Sequence, residues 1–264
     1  MNATLPPRNA TAAEIRIPRS DGLRPTSRWV SYFKRNRERA WDIPWHDNPV
    51  IPPEAWRRIA GSIADFQRGE SSEARDYMAK SQRFAGLTGD EAFHEASVLF
   101  VAEENEHAAL LLRFMRLAGI EPKQAVWSDG VFRRLRSHAD LGWKCRTLVV
   151  AEFAAQEYYP QLRGIGDHPV LRSVCDKLIA DEVAHIRFQV ERIAAVESDL
   201  PEWRRRLRDA AQGAVLIGAT LVVYAGHRGV LGGRGLVEFW QGMLRRHCRA
   251  LATLRHLRAP KKVA

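Results

Sequence analysis

The chain has 264 residues, 45% apolar and 27% charged, with 18 glycines and 13 prolines, a balance that excludes wholesale disorder and fibrous classes. Its length suits one large domain or at most two, with ample material for a hydrophobic core. Net charge is +10, from 41 Lys and Arg against 31 Asp and Glu, which favours acidic partners in general without choosing among them.

Residues 1 to about 50 are rich in Pro, Asn, Thr and Arg and read as an arm against the body, with Trp29, Tyr32 and Phe33 suited to anchoring a short helix. Pro52-Pro53 then opens a helical pattern that runs to about Ala85, with Trp56, Ile59, Ile63, Phe66, Tyr77 and Phe84 in its apolar stripe. Glu70 and Glu73 fall in that stripe. A turn at Gly86-Leu-Thr-Gly89-Asp90 starts a second helix, which continues to Ala118 and ends at Gly119. The third helix runs from about Leu141 to Leu162. After Gly164-Ile-Gly166-Asp-His-Pro169 the fourth runs to about Val196, and residues 202 to about 226 and 235 to about 257 form two more. Strand signals are nearly absent, so the expected fold is all-α: an arm over 1–50, a four-helix body over 51–200 and a helical extension over 201–264.

The most lipid-like stretch, Ala214 to Ala225, is shorter than the roughly 20 residues that cross a bilayer and is expected to be a buried helix, not a membrane span. Arg8, Arg16, Arg19 and Arg24 stand near the N-terminus without an apolar run, which does not read as a secretory signal and places the protein in the cytoplasm. Cys145, Cys175 and Cys248 are widely spaced and form no CxxC pair, so they build neither a disulfide framework nor a zinc ribbon.

Glu104-Asn-Glu-His107 and Glu182-Val-Ala-His185 are both Glu-x-x-His, which projects a carboxylate and an imidazole from one side of a helix. In an antiparallel hairpin, residues equidistant from the turn lie at the same height. With turn centres near residues 87 and 167, Glu70 lies 17 before the first and Glu104 17 after it, while Glu152 lies 15 before the second and Glu182 15 after it. Glu73 competes with Glu70, and Glu157, facing Lys177, competes with Glu152. Glu91-Ala-Phe-His94 also fits the motif but has no facing carboxylate and reads as a surface pair. One helix with an inward Glu, followed by one with Glu-x-x-His, thus occurs twice. That is the arrangement of dinuclear carboxylate sites in four-helix bundles.

On these residues the chain resembles the ferritin-like di-iron superfamily over about residues 53–196. Phe66-Gln-Arg-Gly-Glu70-Ser-Ser-Glu-Ala-Arg75 looks like the first helix of rubrerythrins, in which the Glu after Gly is a ligand. Ala102-Glu-Glu-Asn-Glu-His107 looks like the second helix of rubrerythrins and acyl-carrier-protein desaturases. Ala180-Asp-Glu-Val-Ala-His185 is similar to the Asp-Glu-x-x-His run of desaturases, multicomponent monooxygenases and the small subunit of ribonucleotide reductase. The resemblance implies a ferritin-like four-helix bundle with two additional C-terminal helices and an N-terminal arm.

Four buried carboxylates repel one another and lose hydration unless cations neutralise them, and two divalent ions do so. Carboxylate and imidazole donors suit two Fe ions, with Mn as second choice. The expected metal ligands are Glu70, Glu104, His107, Glu152, Glu182 and His185. An acid precedes each motif glutamate, and a metal-bound imidazole gives its other N–H to a carboxylate, so Asp181 is expected at His107 and Glu103 at His185. In the oxygen-activating families the Asp before the fourth-helix Glu plays that part, which turns the reading towards oxygen activation.

The expected activity is therefore that of a di-iron oxidase, oxygenase or desaturase acting on an organic substrate, free or bound to a carrier protein, with an external electron donor. The alternative is a ferritin- or rubrerythrin-like iron-handling or peroxide-reducing protein. Tyr159, seven residues after Glu152, is a candidate for electron relay or channel lining, and His227 is an extra ligand or a helix cap. Arg204, Arg205, Arg206, Arg208, Arg245, Arg246, Arg249, Arg255, Arg258, Lys261 and Lys262 form a solvated face or a dock for an acidic carrier. No nucleic-acid motif accompanies them, and a homodimer is compatible with such a bundle.

Overall fold

Asp90 and Asp140 each begin a long helix by accepting a hydrogen bond from the backbone N–H three residues on, that of Phe93 at 3.2 Å and of Trp143 at 2.8 Å. The computed structural model describes residues 25–46, 53–70, 74–123, 139–165 and 168–259, and every regular element among them is helical. In chain order these are α1 (Thr26–Glu38), α2 (Pro53–Glu70), α3 (Ala74–Thr88), α4 (Glu91–Leu117), α5 (Leu141–Arg163), α6 (Pro169–Val196), α7 (Glu202–Gly226), the single turn α8 (Arg228–Leu231) and α9 (Leu236–Arg258). The four-helix body is α2 with α3, α4, α5 and α6, and the fold among the described residues is all-α. Gly119, at φ 66°, takes the left-handed conformation that ends α4.

Where the apolar pattern predicts one helix from Pro53 to Ala85, there are two, α2 and α3, both packed along α4. Residues 71–73, including Glu73, lie outside the described residues, as do Gly166, Lys261 and Lys262. The arm contributes α1, which buries Trp29, Val30 and Phe33 against the body. Trp29 Nε1 donates to Glu191 Oε2 at 2.7 Å, and Phe33 and Phe188 meet edge to face at 5.1 Å.

α5 and α6 form the most extensive pair and bury the largest share of the core, with Val149, Phe153, Tyr158, Leu171, Val174 and Leu178 inside. Pro160 lies in the last turn of α5 and cannot donate to the carbonyl of Gln156. Arg246 of α9 supplies that hydrogen bond instead, from Nη2 at 3.2 Å, and its Nε donates to Glu157 at 2.8 Å. Glu157 therefore faces Arg246 and Arg234 from beyond the bundle, not Lys177 as hairpin height predicts.

The basic C-terminal third is only partly a solvated face. Arg208 and Arg258 join the fully buried Arg146 around Glu197 and Asp209, with Arg146 Nη2 2.8 Å from Glu197 and 2.7 Å from Asp209. Together with Arg246, these side chains fasten α7 and α9 to the bundle through paired buried charges. α7 also differs from expectation. Its inner side, with Gln212, Leu216, Ala219 and Thr220, is buried, but Ile217 and Leu221 are exposed, so the stretch Ala214–Ala225 is a half-covered helix. By length and composition Glu202–Gly226 is long and apolar enough to cross a membrane.

Candidate metal centre

The three-residue spacing in α4 sets Glu104 and His107 one turn apart on the face towards α6, and α6 returns Glu182 and His185 in the same way. Donor atoms of these four side chains all lie within 4.8 Å of one another. Each imidazole turns Nδ1 inward. His107 Nδ1 is 3.5 Å from Glu182 Oε1, and His185 Nδ1 is 2.7 Å from Glu104 Oε1 and 3.3 Å from Glu182 Oε2.

The outer nitrogens cross between the helices. His107 Nε2 lies 3.0 Å from Asp181 Oδ2, and His185 Nε2 lies 2.7 Å from Glu103 Oε2. Asn36 of α1 ties the two acids together, its Nδ2 donating to Glu103 Oε1 at 2.5 Å and to Asp181 Oδ1 at 2.8 Å. Lys177, one turn before Asp181, donates to it at 2.7 Å. Phe33, Phe100 and Phe188 cover this side, Phe100 meeting the His185 ring edge to face at 4.9 Å.

Glu70, the last residue of α2, and Glu152 of α5 flank the four. Glu70 accepts a hydrogen bond from the Tyr159 hydroxyl and feels the charges of Glu104 and Glu182, and Glu152 feels those of Glu182 and Glu104. Four of the six expected ligands, Glu104, His107, Glu182 and His185, thus converge on one place in the bundle, Glu70 and Glu152 stand beside them, and Tyr159 meets Glu70.

Their electrostatics follow from crowding. Burial, reinforced by Glu104 and Glu182, pushes the carboxyls of Glu70 and Glu152 well above the usual range. Glu182 goes the other way: burial alone would raise it, but hydrogen bonds from Glu152, His107 and His185 prevail and hold it below the ordinary value. Burial disfavours a charged His107, yet Asp181 and Glu182 outweigh it and raise the imidazole to about 10. His185 is raised likewise by Glu104 and Glu103. Without a cation the site therefore takes up protons to offset its carboxylates.

The arrangement fits a pair of metal ions. The Nδ1 atoms of His107 and His185, both oxygens of Glu182 and Oε1 of Glu104 are buried and have no hydrogen-bonding partner outside the group itself. Buried polar atoms are otherwise satisfied as a rule, so such a convergent set marks a ligand's place. Four carboxylates and two imidazoles offer the oxygen and nitrogen donors that iron and manganese take.

The other residues singled out in the sequence lie elsewhere. Glu91 is exposed, and His94 Nδ1 pairs with Ser81 Oγ of α3 at 2.9 Å. His227 is the C-cap of α7, its Nδ1 2.8 Å from Ser62 Oγ and its ring against Phe66 and Tyr158. It is not among the four convergent residues. Asn36 is the residue at the site that sequence reading misses: it lies in α1, outside the bundle, with no motif around it.

No protein-family model matches the chain, and no curated protein does. Among solved structures, the chain is similar to an R2-like ligand-binding oxidase variant with an aerobically reconstituted Mn/Fe cofactor. The match has a TM-score of 0.59 at 16% sequence identity and covers 87% of this chain and 93% of that one. The likeness, spanning nearly the whole length of both proteins, establishes the fold as that of a ferritin-like helical protein.

Proposed function

We propose that this chain is an oxygen-activating oxidoreductase that holds two metal ions through Glu70, Glu104, His107, Glu152, Glu182 and His185. The observation that carries the proposal is the inward set of buried imidazole and carboxylate atoms without outside partners. Bound there, two iron ions, or manganese in place of iron, supply the redox chemistry that reduces dioxygen and oxidises an organic substrate. The similar structure bears a Mn/Fe cofactor, which supports that choice of metals.

The chain's own residues set the conditions. Asp181 and Glu103 accept the Nε2 protons of His107 and His185, which fixes the tautomer and leaves each Nδ1 lone pair facing inward. Asn36 holds those two acids in place with both of its N–H groups. Tyr159 keeps its proton, because burial and the neighbouring Glu70 hold its hydroxyl far above the usual range, and it donates that proton to the edge of the site. Phe33, Phe100 and Phe188 exclude water on the α1 side. The ligand-binding character in the name of the similar oxidase supports a small-molecule substrate, with a carrier-bound one as the alternative, and reducing equivalents come from an external donor.

Dioxygen uptake by protein loaded anaerobically with ferrous iron tests the proposal. Rapid uptake in wild type that is lost in Glu182→Ala is the expected result. Slow uptake combined with rapid turnover of hydrogen peroxide would instead make the protein a peroxide-reducing one.

A further inference from the structure

Along α7 the solvent-facing apolar residues keep a strict repeat. Trp203, Leu207, Ala210, Ala214, Ile217 and Leu221 follow one another at spacings of 4, 3, 4, 3 and 4. All six are exposed, Trp203 and Leu207 at 62%, Ile217 at 52% and Leu221 at 54%. A 3.5-residue repeat is the seam of a coiled coil, narrower than the stripe by which a helix packs on a globular core. α7 already has its core contact: the opposite side packs on α5 and α9, and Gln212 accepts from Arg146 Nη1 at 2.6 Å. The outer seam has no partner among the described residues.

We propose that this seam binds a second copy of this chain, the two α7 helices lying antiparallel about a two-fold axis at the level of Gln212. The seam reads the same in both directions about that point. Trp203 meets Leu221, Leu207 meets Ile217 and Ala210 meets Ala214, so large side chains meet at the ends and small ones at the axis, where the backbones approach most closely. A two-fold interface requires this self-complementarity, and an unrelated partner does not.

Charge selects the direction. A parallel pair would bring the two arginine-rich starts of α7, with Arg204, Arg205, Arg206 and Arg208, to the same end. In the antiparallel pair they lie beside the far half of the partner helix, a stretch from Ala210 to Gly226 that has no charged residue. The six side chains expose on the order of 500 Å² per copy, about 1,000 Å² in total, at the lower bound of specific interfaces. A lipid surface would use the same apolar area, but it requires neither the heptad spacing nor its reversal symmetry.

The full-length protein at tens of micromolar should sediment with the mass of two chains. Ala214→Glu, which sets two carboxylates near the axis, should give the mass of one chain with unchanged helix content. In a Cys248→Ser background under mild oxidation, chains with Leu207→Cys should cross-link to chains with Ile217→Cys, and neither should cross-link to itself. A single-chain mass for wild type, a dimer that survives Ala214→Glu, or self-cross-linking of Leu207→Cys would each overturn the proposal. So would single chains that sediment with phosphatidylglycerol vesicles and lose that binding on Ala214→Glu, since the face would then belong to a membrane surface.

Discussion

His107 Nε2 and Asp181 Oδ2 lie 3.0 Å apart across the gap between α4 and α6, and that contact orients an imidazole whose other nitrogen faces the candidate metal centre. Asp181→Ala should leave the bundle folded and weaken metal retention about 10- to 100-fold. Competition with a chelator of known affinity measures this. Unchanged retention would remove Asp181 from the site.

Asn36 donates to Glu103 and Asp181 at once, and loss of those two donors leaves partly buried carboxylate oxygens without partners. Asn36→Ala should cost about 1–3 kcal/mol of stability and loosen metal binding. Asn36→Asp should be worse than Asn36→Ala, since it adds a third acid where two already stand. Urea unfolding of both variants in the metal-loaded state checks the order, and an Asp variant more stable than the Ala variant would contradict it.

Burial and the neighbouring Glu182 make the Glu152 carboxyl costly to ionise, which is tolerable with a cation beside it and unfavourable without one. Glu152→Gln should therefore raise the melting temperature of the metal-free protein while abolishing stabilisation by added ferrous iron or manganese. Scanning calorimetry with and without metal distinguishes this from a mere packing role, in which both states would be destabilised alike.

His227 gives a dependence on pH. Burial against Phe66 and Tyr158 pulls its imidazole from 6.5 down to about 4, so at intermediate pH the unfolded chain binds a proton that the folded chain does not. Stability then rises with pH through this window: the contribution is complete above 6.5 and is lost as pH falls towards about 4. Between neutral pH and pH 5, wild type should lose about 2 kcal/mol more than His227→Gln in urea unfolding. Equal losses would contradict the assignment.

The approach of Glu104, His107, Glu182 and His185 was legible in the sequence because helix geometry is local. Residues three apart share a face, and equal distance from a turn sets Glu70 against Glu104 and Glu152 against Glu182, while the meeting of the two halves was expected from the doubled pattern of dinuclear four-helix bundles. The same rule failed for Glu157, which pairs with Arg234 and Arg246 from beyond the bundle, while Lys177 pairs with Asp181 on its own helix. Hairpin arithmetic counts only two helices and cannot foresee a third that brings its own charges. Asn36 escaped for a related reason: its place depends on how Trp29, Val30 and Phe33 seat α1 on the body. The division of the first long helix into α2 and α3 also left no mark in the apolar pattern, which continues through it. In α7 the apolar residues on both sides read as one buried helix, although only the side of Leu216 and Thr220 is covered.

The central claim is that the converging carboxylates and imidazoles hold two metal ions. Metal content per chain, measured by mass spectrometry on wild type and Glu104→Ala purified from cells supplemented with iron and manganese, tests it most directly. The account predicts about two ions per wild-type chain and a marked loss in the variant. Wild-type protein that carries no iron or manganese, even after anaerobic reconstitution with the ferrous ion, would contradict it and leave Glu104 and its neighbours as structural acids.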